Sequence, residues 1–493
     1  MDNWWDLLKS FFMAEDATRS THNAIPSRGF QGNLAYLRER FSNAHDFSVR
    51  ELQLGGDGKK AAVIYLESLT NPARIAEEVL IPLGSFIGMA ERPQAKVRPL
   101  LAKQFLSSSN LEETTDLKQA EGLLLDGWTI ILMDGLNTIL AVGTQSNPGR
   151  AVTASETETS IFGPKQAFVE AHTVNLALLR QKLKTPKLKL EEFRLGTKSP
   201  TGVMFVYLEG TAPDTFVRGV RERLANIEVE VLIESSYLES LLGISTLSPF
   251  PQAIYTERPD KVTANLLEGR VALVVDGSPD VLVLPTAFPD LFQVADDYYQ
   301  RTLPSLLIRV LRVIAFFLAT TLPSLYVVLI SFNYEVLPTN LIIPVAIFRS
   351  GVPFPPFIEL FGMLLIVDIL QEGATRLPSK VGQTIGVVGG FVLGQAVIEA
   401  GLISPLSLIT AALSFIGSFA IPDYRVVGLV RILRYALLLG ASLLSGVGVV
   451  AVWLAVFIHI ASLEVLGVPY LRPIAPLSKK SLGDFILHRK KDE

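Results

Sequence analysis

Residues 128–142 read WTIILMDGLNTILAV, and residues 271–284 read VALVVDGSPDVLVL. In both stretches an apolar run reaches Asp-Gly, and a second apolar run follows. Runs of this length and composition are typical of buried strands, and Asp-Gly readily adopts the positive backbone dihedrals of a tight reversal. Each stretch therefore predicts a β-hairpin, one turning at Asp134-Gly135 and the other at Asp276-Gly277.

The two hairpins belong to a longer internal repeat. Tyr65-Leu66-Glu67 returns 142 positions later as Tyr207-Leu208-Glu209, and Asn33-Leu34-Ala35 returns at the same offset as Asn175-Leu176-Ala177. Matches in one order at one offset indicate a tandem duplication. Since each copy begins with a helical pattern and continues with β-rich runs, we predict duplicated α/β lobes.

Composition sets the expected domain boundaries. The first lobe is predicted over residues 26–148 and the second, with a juxtamembrane hinge, over residues 164–300. A Ser-, Thr-, Gly- and Pro-rich linker, residues 149–163, joins them. An amphipathic segment, residues 1–25, precedes the lobes, and a basic tail, residues 471–493, ends the chain.

The region between the lobes and the tail is strongly apolar. Only eight basic and seven acidic residues fall between Leu303 and Tyr470, although 19% of the whole chain is charged. We therefore predict an all-α polytopic transmembrane domain over residues 301–470, with four to six helical segments, one or more of them broken. Four stretches are long enough to span a bilayer: Val313–Ser331, Val381–Ile403, Leu402–Ile421 and Tyr435–Ala461. Residues 336–370 contain several prolines and suit two short spans, one broken span or a re-entrant pair.

Several classes of function are excluded by composition. A net charge of −4 leaves no basic excess for neutralising a nucleic-acid backbone, so no nucleic-acid partner is expected. The absence of cysteine rules out disulfides and thiolate metal sites. No nucleotide-binding loop or catalytic motif is present, and we expect a non-enzymatic protein without cofactors or metals.

Charged residues within the apolar region are the strongest functional candidates, because a carboxylate at the bilayer centre must be paired or hydrated. At 100° per residue, Asp368, Glu372 and Arg376 lie on one helix face, and Glu359 points nearly the opposite way. The acids could attract cations into a pore. They could equally form ion pairs that fix helix packing.

The pore interpretation also assigns a gate. Phe361, Leu364 and Leu365 lie near the Asp368 face, so a symmetric ring of copies would place an apolar constriction beside a ring of Asp368 and Glu372. Such a constriction closes by dewetting, and the acids attract cations.

Other polar and small residues have weaker predictions. Arg309 and Arg312 are expected to extend from the first span to the cytoplasmic interface, where they could also act in coupling. Glu399 suits either an interface or a conduction path. A glycine stripe at every fourth position indicates close helix packing, static or gating; it consists of Gly382, Gly386, Gly390 and Gly394.

A series of motifs resembles one known family. The motifs are Thr256-Glu257-Arg258-Pro259-Asp260, Leu267-Glu268-Gly269-Arg270, Asp297-Tyr298-Tyr299, Pro353-Phe354-Pro355 with Glu359, Glu372-Gly373-Ala374 with Arg376, and Gly467-Val468-Pro469-Tyr470. In this order they are similar to the A subunits of GerA-type spore germinant receptors and to the related sporulation membrane protein SpoVAF. Asp368 stands where the family pattern has glutamate, which keeps the acidic character.

The resemblance implies a location, an assembly and partners. It implies a multi-pass protein of the spore inner membrane with cytoplasmic N-terminal lobes. It further implies a homo-oligomeric, pentameric channel for monovalent cations, with a transporter-like B subunit and a lipoprotein C subunit, or an equivalent small membrane partner. Two alternatives remain: a secondary transporter, which broken helices and buried acids would also suit, and a membrane-anchored scaffold.

Overall fold

The structure, a computed structural model, describes residues 25–54, 59–84, 110–146, 155, 158, 162–245, 247–375 and 394–477. Contacts divide the chain into two compact units. The first comprises Met1–Val152 with His172–Glu192, and the second comprises Thr153–Ala171 with Phe193–Glu493. Within the second unit, residues 193–300 are called the second lobe and residues 301–477 the helical part.

An antiparallel sheet with helices on both faces forms the first unit. Its elements up to residue 142 are α1 (Gly29–Arg40), β1 (Phe47–Leu54), β2 (Lys59–Leu66), α2 (Pro72–Ile75, continued by the π-helix Ala76–Leu80), β3 (Leu111–Thr114), α3 (Leu117–Leu125), β4 (Thr129–Met133) and β5 (Ile139–Val142). The strand order is β1-β2-β4-β5-β3. Alternate residues of β2 face opposite layers. Ile64 therefore packs with α1 and α3, whereas Val63 packs with α2.

The second sheet repeats this topology. The elements are α4 (His172–Lys182), β6 (Leu188–Leu195), β7 (Thr201–Leu208), α5 (Asp214–Ala225), α6 (Tyr237–Leu241), β8 (Ile254–Thr256), α7 (Pro259–Leu267), β9 (Val271–Val275) and β10 (Val281–Leu284). Their strand order, β6-β7-β9-β10-β8, is equivalent to that of the first sheet. Strands β7, β9 and β10 each begin 142 residues after β2, β4 and β5. The predicted duplication of an α/β sheet is confirmed.

Both predicted hairpins are also confirmed. β4 pairs antiparallel with β5, and β9 pairs antiparallel with β10. The turn glycines, Gly135 with φ 82° and Gly277 with φ 86°, adopt the left-handed conformation that a side chain disfavours. The Asp-Gly pattern therefore predicts both turns correctly.

The division between units differs from the predicted lobes. The sequence places α4 in the second lobe, but its contacts are with the first unit. Arg180 of α4 is fully buried and donates hydrogen bonds to both carboxylate oxygens of Asp46, at 3.1 and 2.8 Å. Ala177 belongs to the core that contains Ile64. The predicted linker lies largely outside the described residues, as do residues 1–24 of the N-terminal segment and 478–493 of the tail.

The helical part follows the second lobe. Its helices are α8 (Thr302–Ser331), α9 (Thr339–Arg349), α10 (Pro356–Thr375), α11 (Pro405–Phe419) and α12 (Tyr424–Ser462), and a short hairpin of β11 (Glu464–Val465) and β12 (Val468–Pro469) comes after them. Among the described residues, two helices are long and apolar enough to cross a membrane: α8 and residues Arg425–Ser462 of α12. The predicted span Val313–Ser331 lies inside α8, whereas most of Val381–Ile403 is outside the described residues.

The longest helix, α12, folds back on itself. Ser445 departs from helical geometry, with φ 56° and ψ −142°. A Cβ added to Gly440 would lie 2.9 Å from the carbonyl oxygen of Gly448, although residues eight apart in a straight helix are separated by about 12 Å. Residues 424–444 and 446–462 therefore run antiparallel. The predicted span Tyr435–Ala461 crosses this turn, so it is not one straight helix.

A continuous apolar core joins the second sheet to the helical part. Leu273 of β9 belongs to the same buried cluster as Phe316 of α8, Val430 of α12 and Tyr470 after β12. Continuous burial of this kind explains why the second lobe and the helical part form one unit.

Candidate functional site

The acid that precedes the first long helix is held by two arginines of that helix. Asp297 accepts hydrogen bonds from Arg309 Nε at 3.2 Å and from Arg312 Nη1 at 2.6 Å, and its side chain is 1% exposed. Arg312 also donates to the carbonyl of Phe292. These arginines are therefore turned towards the second lobe and paired with Asp297, and their position at the membrane interface stays a prediction.

A second group of charges continues this contact into α7. Arg258 donates to both oxygens of Asp260, at 3.1 and 2.7 Å, and to Asp296 at 3.3 Å. Tyr299 donates its hydroxyl to Asp260 at 2.8 Å. Burial raises the pKa of Asp260, but hydrogen bonds from Arg258 and Tyr299 outweigh it, so this pKa lies below its ordinary value. Burial and the bond to Asp260 raise the pKa of Tyr299 to about 12.

We call these residues together the juxtamembrane cluster: Arg258, Asp260, Asp296, Asp297, Tyr299, Arg309 and Arg312. It connects a helix of the second lobe to the start of α8 through consecutive residues 296 and 297. A cavity of about 70 Å³ opens beside it, between α7 and residues 290–299. Charged contacts therefore connect α7 with α8 across residues 296–299, part of the segment that the sequence predicts as a juxtamembrane hinge.

Asp368, the main predicted pore acid, accepts hydrogen bonds from side chains of α12. Arg434 Nη2 lies 2.8 Å from each of its carboxylate oxygens, and the Tyr435 hydroxyl donates at 2.6 Å. Arg431 Nε lies 3.4 Å away, and its Nη2 donates to Gln371. The side chain of Arg434 is 1% exposed. We call Asp368, Arg431, Arg434 and Tyr435 the latch cluster.

Glu359 occupies a separate polar site, as its predicted position opposite Asp368 requires. Arg349 Nη1 lies 3.0 Å from its carboxylate. At the start of α11, the backbone N–H of Ser404 donates to Glu359 at 3.0 Å, and the hydroxyl of Ser407 donates to it at 2.8 Å. Glu359 is buried, so this site joins α9, α10 and α11.

The three predicted gate residues do not share one environment. Phe361 and Leu365 are partly exposed, whereas Leu364 is fully buried in a core with Val327 of α8 and Leu438 of α12. Around the helix, residue 364 is turned about 60° from 361 and about 100° from 365, and this rotation directs it into the subunit. Leu364 is therefore a packing residue in this conformation, which corrects its placement beside the other two.

The remaining predicted residues are dispersed. Glu372 is exposed at the end of α10, and Glu399 accepts a hydrogen bond from Gln395 at 3.0 Å on a solvent-exposed surface. Gly394 has ordinary room, since an added Cβ would lie 3.6 Å from Leu408. Arg376, Gly382, Gly386 and Gly390 lie outside the described residues. No group of three metal-ligating acids or histidines occurs among the described residues.

The sequence does not predict two of the contacts made by arginines of α12. Its patterns do not single out Arg431 and Arg434, although arginines within an apolar helix pair with acids or backbone carbonyls and Asp368 lies on a neighbouring helix. The other contact is between Arg425, in the first turn of α12, and Tyr255 of β8. The guanidinium carbon lies 3.2 Å from the ring centroid, and no local pattern indicates this pair.

Comparison with known proteins gives the family. The model of the Bacillus/Clostridium GerA spore germination protein matches residues 35–492, which is nearly the whole chain. The chain belongs to the GerA family. Spore germination protein KA of Bacillus subtilis (strain 168) is 34% identical over 92% of this chain and 83% of its own length. The membrane protein YfkQ of the same organism is also 34% identical, over 92% of this chain and 87% of its own length.

One solved structure is also similar to this GerA-family chain. It is the N-terminal domain of the A subunit of the Bacillus megaterium spore germinant receptor GerK3. The identity is 30% and the TM-score 0.43, and the match covers 54% of this chain and 98% of that chain. Two of the family motifs named above lie at contacts already described, because Thr256–Asp260 and Asp297–Tyr299 form most of the juxtamembrane cluster. A third motif ends at Tyr470, whose hydroxyl donates to the carbonyl of Pro251.

Proposed function

We propose that the chain is the A-type subunit of a germinant receptor and that several copies enclose a gated path for monovalent cations. One observation carries this proposal. On the exposed side of α10, Phe361, Leu365 and Glu372 lie in line, with Asp368 beside them. An acidic position next to an apolar stretch suits a cation-attracting mouth beside a gate that closes by dewetting, and neighbouring copies would supply the other walls.

The arrangement of α10 and α12 in this structure suits a closed state of the proposed cation path. Asp368 already accepts from Arg434 and Tyr435, so a cation could meet this carboxylate only after α12 moves away from α10. A buried acid that loses its arginine must find another cation or water. Opening would therefore exchange Arg434 for the permeating ion, and the latch cluster would set the resting state.

The proposed location is the inner membrane of the spore, with the lobes on the core side. Both ends of α12 would lie on the side of the lobes, because Arg425 at its start contacts Tyr255 and His459 at its end hydrogen-bonds Ser248, both in the second lobe. The two halves of α12, 21 and 17 residues long, would extend about 31 and 25 Å and can each cross most of a bilayer core of about 30 Å. We infer multiple crossings from these lengths.

The proposed partners come from the family resemblance. They are further copies of this chain, five in a complete ring, a transporter-like B subunit and a lipoprotein C subunit or an equivalent small membrane protein. Large apolar side chains exposed along α8, α9 and α12 require such subunits or lipid to cover them.

A membrane-anchored scaffold is the second candidate, and a specific observation favours it. Glu359 and Asp368 are both paired within their own subunit. Paired acids can serve packing alone. In that case the membrane part would only position the lobes for their partners.

Potassium efflux from liposomes separates the two candidates. The full chain is reconstituted into potassium-loaded vesicles, and efflux is compared for wild type, Arg434→Gln and Arg434→Gln/Asp368→Asn. If Asp368 lines the path, Arg434→Gln raises unprompted efflux, because the carboxylate is released, and the second substitution returns efflux to background. Glu464→Gln, which changes an exposed acid of β11, is the matched control and should behave as wild type.

The amount of inserted protein is measured in the same vesicles. The channel assignment fails if Arg434→Gln only lowers this amount, the double variant restores it, and no variant passes potassium. That result would instead support the scaffold, because it would show that the two charges serve packing and that the protein passes no potassium.

A further inference from the structure

One segment of the second lobe exposes large apolar side chains although it is firmly packed. Between α5 and β8, Ile233 is 72% exposed, Tyr237 55% and Leu247 96%. Their neighbours Leu238 and Leu242 belong to the buried core of the second lobe. The exposure is therefore a property of a well-anchored surface, and it requires an explanation.

Two of these side chains adjoin residues that connect to the ends of α12. Leu247 precedes Ser248, whose hydroxyl lies 2.9 Å from Nε2 of His459 in the last turn of α12. Tyr237 follows Ser236, whose carbonyl accepts from the Tyr255 hydroxyl at 3.4 Å. The Tyr255 ring in turn contacts Arg425 in the first turn of α12.

The fold of α12 brings these contacts to one side of the helical part. Because the helix reverses at Ser445, its first and last turns lie at the same end. With the proposed crossing of both halves, this end lies on the lobe side of the hydrocarbon layer. The exposed side chains therefore lie near both ends of α12, on that side.

We propose that Ile233, Tyr237 and Leu247 form a bilayer-contact rim that enters the interfacial layer of the phospholipid membrane on the side of the lobes. This inference rests on the proposed membrane crossing of α12. The occupant is the lipid surface, because the rim is continuous with the ends of a membrane helix. Aromatic and aliphatic side chains beside a polar backbone suit this layer, where tyrosine is enriched.

Charges near the rim are compatible with this location. Glu234 accepts hydrogen bonds from Ser235 and Ser236, at 3.0 and 2.6 Å. Glu239 accepts from Tyr255 at 3.0 Å. Burial raises the pKa of Glu234, but the serine bonds and the nearby Arg425 outweigh it, so its pKa lies below the ordinary value. Both acids are thus held by partners within the protein.

The absence of cysteine permits a direct test, since any introduced cysteine is unique. Ile233→Cys and Leu247→Cys are labelled with bimane in the full chain. The labelled protein is placed in vesicles of phosphatidylcholine and phosphatidylglycerol, with or without bromine on the acyl chains near the headgroup. We expect brominated lipid to reduce the fluorescence at both positions. Ile81→Cys, an exposed apolar position in the first unit, is the control and should keep its fluorescence.

A label at Leu454→Cys, exposed in the second half of α12, separates two kinds of failure. If Leu454 is quenched but positions 233 and 247 are not, the rim is wrong and the membrane crossing stands. If Leu454 is not quenched, the crossing itself is wrong. Equal quenching at Ile81 also overturns the rim. Self-quenching between labels at position 247 without bromine would show that a second copy covers this surface, and this result too contradicts the proposal.

Discussion

At the scale of single residues, burial decides what an ion pair contributes. The pairs Arg312–Asp297 and Lys198–Glu230 have the same N–O distance, 2.6 Å. The side chains of the first are 13% and 1% exposed, and those of the second 68% and 71%. Water screens the exposed pair, whereas loss of one buried partner leaves an uncompensated charge.

We predict a large difference between the matching substitutions. Asp297→Asn should destabilise the second unit by about 3–5 kcal/mol, because Arg309 and Arg312 lose their common carboxylate. Glu230→Gln should change stability by at most about 1 kcal/mol. Thermal unfolding of the full chain in detergent measures both. Similar small shifts for the two variants would show that Asp297 contributes no more than a surface acid.

The sequence predicts the residue types of the site better than their partners. That Asp368 and Glu359 require pairing or hydration follows from their apolar surroundings. The choice of Arg434 as the partner of Asp368 depends on how α10 and α12 pack, and helix periodicity gives only the face of each helix. Leu364 shows the same limit: it lies about 60° from Phe361 and about 100° from Leu365 around the helix, and the sequence does not say which edge of a helix meets its neighbour.

At the scale of elements, glycine contacts determine the shape of α12. The predicted glycine stripe ends at Gly394, which has ordinary space. The close approaches lie at Gly440 against Gly448, and at Gly417, where an added Cβ would lie 2.9 Å from the carbonyl oxygen of Ala315. The run from 435 to 461 is uniformly apolar and without proline, so it predicts one span. The turn depends on a tertiary contact between two glycines.

Gly448→Ala should weaken this turn. A Cβ there would overlap the carbonyl oxygen of Gly440, and overpacking of this kind costs about 1–3 kcal/mol. Gly446→Ala is the matched control, because its Cβ would lie 3.7 Å from Val328 in ordinary contact. Thermal unfolding in detergent should show a lower midpoint for Gly448→Ala alone. Equal midpoints would contradict the antiparallel arrangement of the two halves.

At the scale of the whole molecule, the duplication is predictable because similar residues recur in the sequence at a fixed offset. Offsets of 142 residues identify equivalent strands without any knowledge of packing. The assignment of α4 is not predictable in this way. An offset identifies equivalent elements but not their neighbours, and the partner of Arg180 is Asp46, 134 positions earlier.

The reversal of α12 also bears on membrane topology. With a single crossing between residues 435 and 461, Arg425–Arg434 and the basic tail would face opposite sides, against the tendency of basic segments to remain cytoplasmic. With the two crossings proposed above, Arg425 at the start of α12 and residues 471–477 after the hairpin would lie on the side of the second lobe. The distribution of arginine and lysine then agrees with one orientation.

Labelling of single cysteines with a membrane-impermeant maleimide tests this orientation in sealed vesicles. Leu477→Cys, after the last hairpin, and Lys198→Cys, in the second lobe, should react from the same side. Leu443→Cys, beside the turn and 77% exposed, should react only from the other side. A straight α12 predicts that Leu477 and Lys198 react from opposite sides, because one crossing separates them. That outcome would remove the second crossing and, with it, the common level of Arg425 and His459.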